Sequence, residues 1–472
     1  MAGSAKPRAT AGLPAWPYLV AAGLGLWLVA SPFLLGHFDP EAVQQLARDV
    51  TRERGLWAPE RRNFWLGVND VVTGLGLAAA AFLAARRRFV FAPWVVAGLG
   101  VWLLLAPLFL WAPTFAGYAN DTAVGALVIA FAVVVTRTPG MDPAALADPA
   151  DVPEGWTYTP SSLLQRLPIV VLATICLLFA LPLTAYQLGH SDGVFEPFFS
   201  GEGELDGTET ILRSEVSKAW PIPDAGMGVV AYVFEILLGL QGGRRRWRTS
   251  PWSVAMFGAV VVPLGVISIY FIIIQPIVIG TYCTFCLITA AAMLLMIPFA
   301  LDEVVATGQF LVRSKRTGRP LIATFFRGGL LGDGRRSRGR PSGAPRLRWA
   351  LKEMARGVTA PWNLVAAAAV GAAAMLSPLL IGRDAALADS LHLVGALAVT
   401  VSVIAMAEPA RALRLLAVPL GLWLIAAPWS IPGTAAIATL SSIGCGALLV
   451  LLGLPRGQRS EERYGGWDRA VV

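Results

Sequence analysis

Long apolar runs alternate with short polar or basic segments along almost the whole chain. Apolar runs of about the length needed to cross a bilayer as a helix fall at 17–36, 64–85, 91–111, 120–136, 167–188, 225–242, 252–274, 280–301, 361–381, 388–407, 413–430 and 433–454. The chain is 56% hydrophobic and only 14% charged, whereas soluble domains carry about 25% charged residues. This pattern predicts an all-α polytopic membrane protein with about twelve transmembrane helices.

A short motif recurs in these runs with the frame Gly-x-Trp-x-x-x-x-Pro. It occurs at 25–32, 100–107 and 421–428, and a weaker copy without the Trp occurs at 371–378. Glycine permits close helix packing in membranes, and Trp favours the interface. After the first two copies, the next apolar run carries Asn69-Asp70 or Asn120-Asp121, a pair that we expect to cap the returning helix. Each copy therefore predicts a two-helix hairpin, two before a central block and two degenerate ones after it.

This frame resembles the SPW-repeat family of bacterial membrane proteins, which is named for a Ser-Pro-Trp motif. The motif appears here in incomplete form as Ser31-Pro32-Phe33, Ala106-Pro107-Leu108, Ser377-Pro378-Leu379 and Ala427-Pro428-Trp429. The resemblance divides the chain into an SPW-repeat-like module at 1–136 and a degenerate one at 361–454. It implies packing modules and brings no chemistry.

Clusters of basic residues predict the orientation, because Lys and Arg concentrate in cytoplasmic loops. Arg86–Arg88 and Arg244–Arg248 lie in short loops, and the segment 302–359 has thirteen Lys or Arg against four acids. We therefore expect both termini, the linkers 137–166 and 302–360 and the tail 455–472 to be cytoplasmic in a bacterial plasma (inner) membrane. The net charge of +8 then reflects topology and contact with membrane lipid, and nucleic acid is not expected as a partner.

Two of the four cysteines, Cys283 and Cys286, form a C-x-x-C pair just before the apolar run that follows. Residues three apart share one face of a helix, and a helix N-terminus stabilises a thiolate. The pair is therefore suited to a redox-active disulfide, to half of a metal site, or to simple packing. Zinc needs four ligands and no further ligands lie nearby, so no metal site is predicted. Cys176 and Cys445 lie inside apolar runs and are expected to be inert.

The central block, 167–301, resembles the vitamin K epoxide reductase family, a four-helix membrane fold that couples thiol–disulfide exchange to a quinone. Two motifs carry the resemblance: Cys283-Thr-Phe-Cys286 at the start of the fourth helix, and Asp224-x-x-x-Gly228-x-x-x-Tyr232, similar to the family's Asn-x-x-x-Gly-x-x-x-Tyr. The resemblance implies a thiol–disulfide oxidoreductase with its cysteine pair on the extracytoplasmic side. The implied cofactor is ubiquinone, menaquinone or a similar membrane quinone.

By the same resemblance, Cys286 faces the quinone and Cys283 exchanges with an extracytoplasmic thioredoxin-like protein or a small thiol. Asp224 stands in the place of the family's quinone-facing Asn, and with Tyr232 it is a candidate quinone ligand. Glu235 is a third candidate, since a carboxylate at membrane depth is costly and often functional. Two structural alternatives are open: Asp224 caps its helix, and Glu235 bonds to a neighbouring helix.

The loop 189–223 departs from the family's pattern, because it contains no cysteine to relay electrons. A Tyr found four residues after the second cysteine in some members is Ala290 here. The alternative function is therefore a non-catalytic membrane scaffold derived from that family. Whichever holds, the loop follows the first core helix and carries Phe195, Phe198, Phe199 and Trp220, so we expect it to cover the cysteine pair as a lid.

Overall fold

The computed structural model describes residues 15–86, 89, 91–136, 141–330, 335–337, 345–381, 386–431 and 436–469. Arg87 and Arg88, two of the basic residues that predict the orientation, lie outside the described residues. Residues 331–334 and 338–344 of the basic segment 302–359 and the last three residues of the tail also lie outside them.

Helices occupy all twelve predicted positions, and no strand occurs among the described residues. They are α1 (Trp16–Leu34), α2 (Pro59–Ala85), α3 (Ala92–Phe109), α4 (Phe115–Val134), α5 (Leu163–Leu188), α6 (Asp224–Leu240), α7 (Pro251–Ile279), α8 (Thr284–Arg316), α9 (Trp362–Leu376), α10 (Ala386–Ile404), α11 (Ala417–Ser430) and α12 (Ala436–Gly453). Within the described ranges, ten helices are long and apolar enough to span a membrane, whereas α6 and α9 are shorter. The protein is an all-α integral membrane protein, as predicted.

The central block is a bundle in which α5 packs on α6, α6 on α7, α7 on α8 and α8 on α5. α5 begins at a capping box formed by Ser162 and Gln165 and ends at Gly189 in the left-handed conformation, with φ 78°. α7 closes with a π-helical turn and reaches Gly280, also left-handed, just before the cysteine pair. Glycine adopts this conformation without a Cβ clash, so these residues turn the chain at the same end of the bundle.

Each flanking module is built from two hairpins whose helices cross at a pair of glycines. A Cβ added to the repeat glycine or to its partner would lie 2.5–3.0 Å from the opposite glycine's carbonyl oxygen. The four pairs are Gly25 with Gly74, Gly100 with Gly125, Gly371 with Gly395 and Gly421 with Gly446. The repeat glycine therefore sets the distance between the two helices of each hairpin.

The repeat tryptophans connect one hairpin to the next within a module. Trp27 Nε1 donates to Asn120 Oδ1 at 2.8 Å, and Trp102 Nε1 donates to Asn69 Oδ1 at 2.7 Å, so the two bonds are reciprocal. The prediction that these asparagines cap helices is wrong, because α2 and α4 begin at Pro59 and Phe115, well before them. In the described part of the C-terminal module one such bond occurs, from Trp423 to Ser390, and the third copy of the motif has no Trp to form its counterpart.

The glycine crossing gives a testable contrast on α1. Gly25→Ala places a methyl group 2.7 Å from backbone atoms of Gly74 and Ala78, whereas Gly23 has open space at its Cβ position. We expect Gly25→Ala to destabilise the protein by about 1–3 kcal/mol, the usual cost of overpacking. Gly23→Ala should be neutral or slightly stabilising, since Ala favours helix over Gly by about 1 kcal/mol. Thermal unfolding in detergent measures the stability of both variants. Equal stability would contradict the close approach of α1 and α2 at Gly25.

Both modules pack on the central bundle. Leu108 of the N-terminal module packs directly on Gly226 of α6: a Cβ added to Gly226 would lie 2.4 Å from Leu108 Cδ2. In the C-terminal module, α10 packs on α7 and α8. The bundle is therefore held between the two modules.

A polar cluster lies at the opposite end of the bundle from the cysteine pair; we call it the arginine junction, and it comprises Arg166, Arg246, Arg248 and Glu303. These side chains are fully or almost fully buried. Arg166 donates to the carbonyls of Gly239, Gln241 and Gly242, and Arg246 forms an ion pair with Glu303. The basic cluster at 244–248 thus supplies buried structural cations besides charges that indicate topology.

The segment predicted as a basic linker is partly helical where it is described. α8 continues to Arg316, fifteen residues past the predicted end of its apolar run at 301. Further along, Arg335 pairs with Val152 through a backbone bridge. The two predicted linkers, 137–166 and 302–360, therefore contact each other beside the arginine junction.

Candidate functional site

Cys283 and Cys286 are joined in a disulfide at the start of α8. Cys283 is the N-cap residue, and its sulfur accepts the backbone N–H of Cys286 at 3.1 Å. The backbone N–H of Cys283 donates to Gln275 Oε1, from the last turn of α7, at 3.2 Å. Of the three readings that the spacing leaves open, the described structure has the disulfide.

The two sulfurs have different surroundings. Cys283 is completely buried, whereas Cys286 is half-buried and lines a cavity of about 260 Å³. The cavity is bounded by α5, α6, α7, α8 and the loop 189–223. Apolar side chains form most of its wall, among them Leu183, Leu264, Ile267, Phe271, Ile272 and Ile274.

Part of the cavity wall is polar and is organised by Asp224, the first residue of α6. Its carboxylate accepts hydrogen bonds from Gln187 Nε2, from the Ser217 hydroxyl at 3.2 Å and from the Ala225 backbone N–H at 3.0 Å. The residue before it, Pro223, is the N-cap, and it makes no side-chain cap bond. Asp224 is thus a half-buried acceptor at the cavity wall and not the N-cap of α6.

The other predicted ligands divide between the cavity and the interior. Tyr232 lines the cavity together with Cys286 and Asp224. Ala290 also lines it, so the position where some family members carry a Tyr is open space here. Glu235 is not among the lining residues: it is fully buried, and neither carboxylate oxygen has a hydrogen-bond partner among the described residues. The alternative in which Glu235 bonds to a neighbouring helix is therefore not seen either.

The loop 189–223, which we call the lid, lies over the start of α8. Glu196 provides the closest attachment: its carboxylate accepts the Thr284 backbone N–H at 2.8 Å, the Thr284 hydroxyl and the Thr208 hydroxyl at 2.6 Å. A second attachment runs from the Thr281 hydroxyl to the Ser200 carbonyl at 2.7 Å. These contacts explain the burial of Cys283.

Both flanking modules hold parts of the site. Arg54, from a short helix between α1 and α2, donates to the lid carbonyls of Leu212 and Ser217, each at 3.2 Å. Burial lowers the pKa of Arg54 from its ordinary value, and the nearby acids Asp224, Glu53 and Glu215 oppose that shift. From the C-terminal module, His392 lies 3.4 Å from the hydroxyl of Tyr282, the residue before Cys283. Both repeat modules therefore contribute contacts at the site.

Removal of the Glu196 carboxylate should open the lid. Without it, the first N–H of α8 and the hydroxyls of Thr284 and Thr208 lose their acceptor. We expect Glu196→Ala to increase the alkylation rate of reduced Cys283 at least several-fold, measured by mass after a timed pulse of reagent. Glu204→Ala, which changes an exposed acid of the same lid, is the matched control and should leave the rate unchanged. Equal rates in both variants would mean that Glu196 does not hold the lid.

The same attachment predicts a pH dependence. Burial favours the protonated form of Glu196, but hydrogen bonds from Thr208 and Thr284 outweigh it and lower its pKa below the ordinary value. A carboxylate with a lowered pKa stabilises the closed lid above the ordinary pKa, and this contribution is lost as the pH falls through the lowered one.

Sequence patterns did not indicate several residues that shape the site, namely Arg54, Gln187, Glu196, Ser217 and Gln275. Their partners are far away in the chain, as with Glu196 and Thr284 or Arg54 and Ser217, so no local spacing marks them. The one available signal was the concentration of acids in a loop already predicted to cover the pair. That signal does not tell which acid reaches the helix.

Two regions of the chain match known families. Residues 167–301 match the model of the Vitamin K epoxide reductase family, and residues 361–456 match that of the SPW repeat domain. These matches confirm both resemblances for the central bundle and for the C-terminal module. The likeness of residues 1–136 to the same hairpins rests on their glycine crossings and tryptophan bonds. No curated protein and no solved structure gave a match.

Proposed function

Starting from the family match of the central bundle and its cysteine pair, we propose that the protein is a quinone-linked thiol–disulfide oxidoreductase. The observation that carries the proposal is the shared cavity, in which Cys286, Asp224 and Tyr232 line one apolar space. A planar, apolar quinone ring suits such walls, and its carbonyl oxygens suit the polar groups around Asp224. We propose ubiquinone, menaquinone or a similar membrane quinone as the group bound there.

When bound, an oxidised quinone would accept two electrons, and a reduced quinone would donate two electrons. The chain's own step is the exchange between the Cys283–Cys286 disulfide and two thiols. Oxidation of the dithiol breaks two S–H bonds, forms one S–S bond and releases two electrons and two protons. The electrons and the protons would be taken up together by a bound quinone. The start of α8 stabilises a Cys283 thiolate through the helix dipole and the Cys286 N–H that donates to its sulfur, and Asp224 and Tyr232 would orient the ring by hydrogen bonds.

We further propose that the pair works at the extracytoplasmic side of a bacterial inner membrane, with both termini cytoplasmic. The short basic loop at 244–248 supports this orientation, since it lies at the opposite end of the bundle from the pair. Electrons pass between Cys283 and a thioredoxin-like protein or a small thiol. Because Cys283 is buried under the lid, exchange requires the lid to move, and the absence of cysteines from the lid makes the exchange intermolecular.

The test is thiol-dependent quinone reduction by the purified protein in lipid nanodiscs. Dithiothreitol and a short-chain menaquinone or ubiquinone analogue serve as the substrates. Asp224→Leu removes the polar group at the cavity wall, and we expect kcat/KM to fall about 10–100-fold, as for loss of one strong hydrogen bond of about 1.5–3 kcal/mol. Asp224→Asn keeps a hydrogen-bonding group there and should retain most of the activity.

The competing function, a membrane scaffold without catalysis, is favoured by the lack of lid cysteines and by the complete burial of Cys283. It predicts no turnover above the uncatalysed rate with any quinone. An equal loss of kcat/KM in Asp224→Asn and Asp224→Leu would be compatible with catalysis but would contradict a role of Asp224 in quinone binding.

A further inference from the structure

Two buried acids face each other inside the N-terminal module. Asp70 and Asp121 occupy the same position in their hairpins, four residues before Gly74 and Gly125. Both are completely buried, and their carboxyl groups lie within hydrogen-bonding reach of each other. The Oδ1 atom of each accepts a bond at 3.3 Å from the asparagine before it, and neither Oδ2 atom has a hydrogen-bond partner among the described residues.

The two acids lie on facing hairpins, each beside an asparagine that accepts a bond from a tryptophan of the other hairpin. The two bonds run from Trp27 to Asn120 and from Trp102 to Asn69. In the C-terminal module the equivalent positions, four residues before Gly395 and Gly446, hold Leu391 and Ser442, which are also completely buried. The hairpin fold therefore does not require acids there.

A third titratable group, His37, points into the pair. Its side chain is completely buried, its Nδ1 atom lies 3.6 Å from Asp70 Oδ2, and neither ring nitrogen has a hydrogen-bond partner in the described part of the chain. His37 follows α1 at the end of the module that carries the lid contacts, and burial lowers its pKa to about 4, so the neutral ring is favoured. No Lys or Arg forms an ion pair with either carboxyl among the described residues.

Two neighbouring carboxyl groups that are completely buried and have no Lys or Arg partner in the described structure disfavour each other's charge, and burial disfavours the charge of both. We propose that Asp70 and Asp121 form a proton-binding site that holds one shared proton, and that His37 is the group through which this proton exchanges with water at the lid end of the module. In the exchange, a proton leaves a carboxyl oxygen for a ring nitrogen of His37 and then passes to water. No other bond changes and no electron moves.

The shared proton is detectable in the full-length protein in lipid nanodiscs by infrared difference spectroscopy of the carbonyl stretch of protonated carboxyl groups. We expect Asp70→Asn and Asp121→Asn each to remove the same absorption band, because the proton belongs to both. The double variant Asp70→Leu with Asp121→Ser installs the residues of the C-terminal module, so it is expected to fold and should also lack the band. Glu60→Gln changes a half-buried acid paired with Arg48 and should leave it intact.

The role of His37 has its own readout. In His37→Gln the band should persist, but its shift on transfer to D₂O should slow at least several-fold relative to the parent protein. Loss of the band in only one Asp→Asn variant, or in none, would overturn the shared proton. A band that disappears when sodium is added to the parent protein would replace the proton site by a cation site, and unchanged exchange in His37→Gln would remove His37 from the path.

Discussion

Replacing Arg246 by Met should destabilise the protein by about 3–5 kcal/mol, because it leaves a buried carboxylate without its counter-charge. Arg246 and Glu303 are almost completely buried and form a paired contact, Nε to Oε1 at 2.6 Å and Nη2 to Oε2 at 2.5 Å. Arg246 also donates to the carbonyls of Leu238 and Gln241, at the end of α6. Its loss therefore uncouples α6 from α8 at the arginine junction. Denaturant or thermal unfolding in detergent measures the effect.

Two controls make this prediction specific. The double variant Arg246→Met with Glu303→Leu removes both charges and should recover much of the loss, since replacing a buried pair by apolar residues is often neutral. Arg313 lies on α8, as Glu303 does, and forms a partly exposed ion pair with Glu154 of the linker. Arg313→Met breaks this pair and should cost at most about 1 kcal/mol of stability. If the Arg313 and Arg246 variants lost the same stability, the junction would not hold the bundle together.

Cys286→Ser should abolish thiol-dependent quinone turnover, because Cys286 is the sulfur that lines the cavity and no intramolecular disulfide can form without it. The remaining Cys283 should then accumulate in a mixed disulfide with an extracytoplasmic thiol partner. Since Cys283 is buried beneath the lid, adding Glu196→Ala should increase the trapped fraction. Non-reducing gels of membranes, with the trapped band identified by mass, report the result.

The matched controls are Cys283→Ser and Cys445→Ala. Cys283→Ser should also lose turnover but trap no partner, because Cys286 lines the cavity proposed for the quinone and is not assigned the exchange with a partner. Cys445 is a half-buried free cysteine in the C-terminal module, and its replacement should leave turnover unchanged. A partner trapped by Cys283→Ser alone would reverse the roles assigned to the two sulfurs.

Periodicity and motif recurrence predicted most of what positions the site. Apolar runs located all twelve helices, and the C-x-x-C pair was expected at the start of the helix that Cys283 now caps. The proximity of Asp224, Tyr232 and Cys286 follows from the family resemblance and appears as one cavity. Helix ends were less predictable: α8 continues past its apolar run to Arg316 because its last turns are stabilised by contacts with linker residues such as Trp156 and Glu154.

The remaining features depend on contacts between residues far apart in the chain. Asn69 and Asn120 have the composition of helix caps, but tertiary packing uses them as acceptors for tryptophans of the neighbouring hairpin. Arg246 and Arg248 have the pattern of solvated topology markers, yet carbonyl groups and carboxylates from other segments make their burial favourable. Glu235 was expected at the quinone site from its depth alone, which does not determine the direction of a side chain on α6.

The most direct test of the central claim is the redox state of Cys283 and Cys286 in membranes with and without a respiratory quinone. Thiol labelling with a mass-shifting maleimide, after acid quenching, gives the oxidised fraction. The proposed activity predicts that removing quinone shifts the pair from mainly disulfide to mainly dithiol, or the reverse if electrons flow outward, and that restoring quinone reverses the shift. An oxidised fraction that does not respond to quinone in either direction would contradict it.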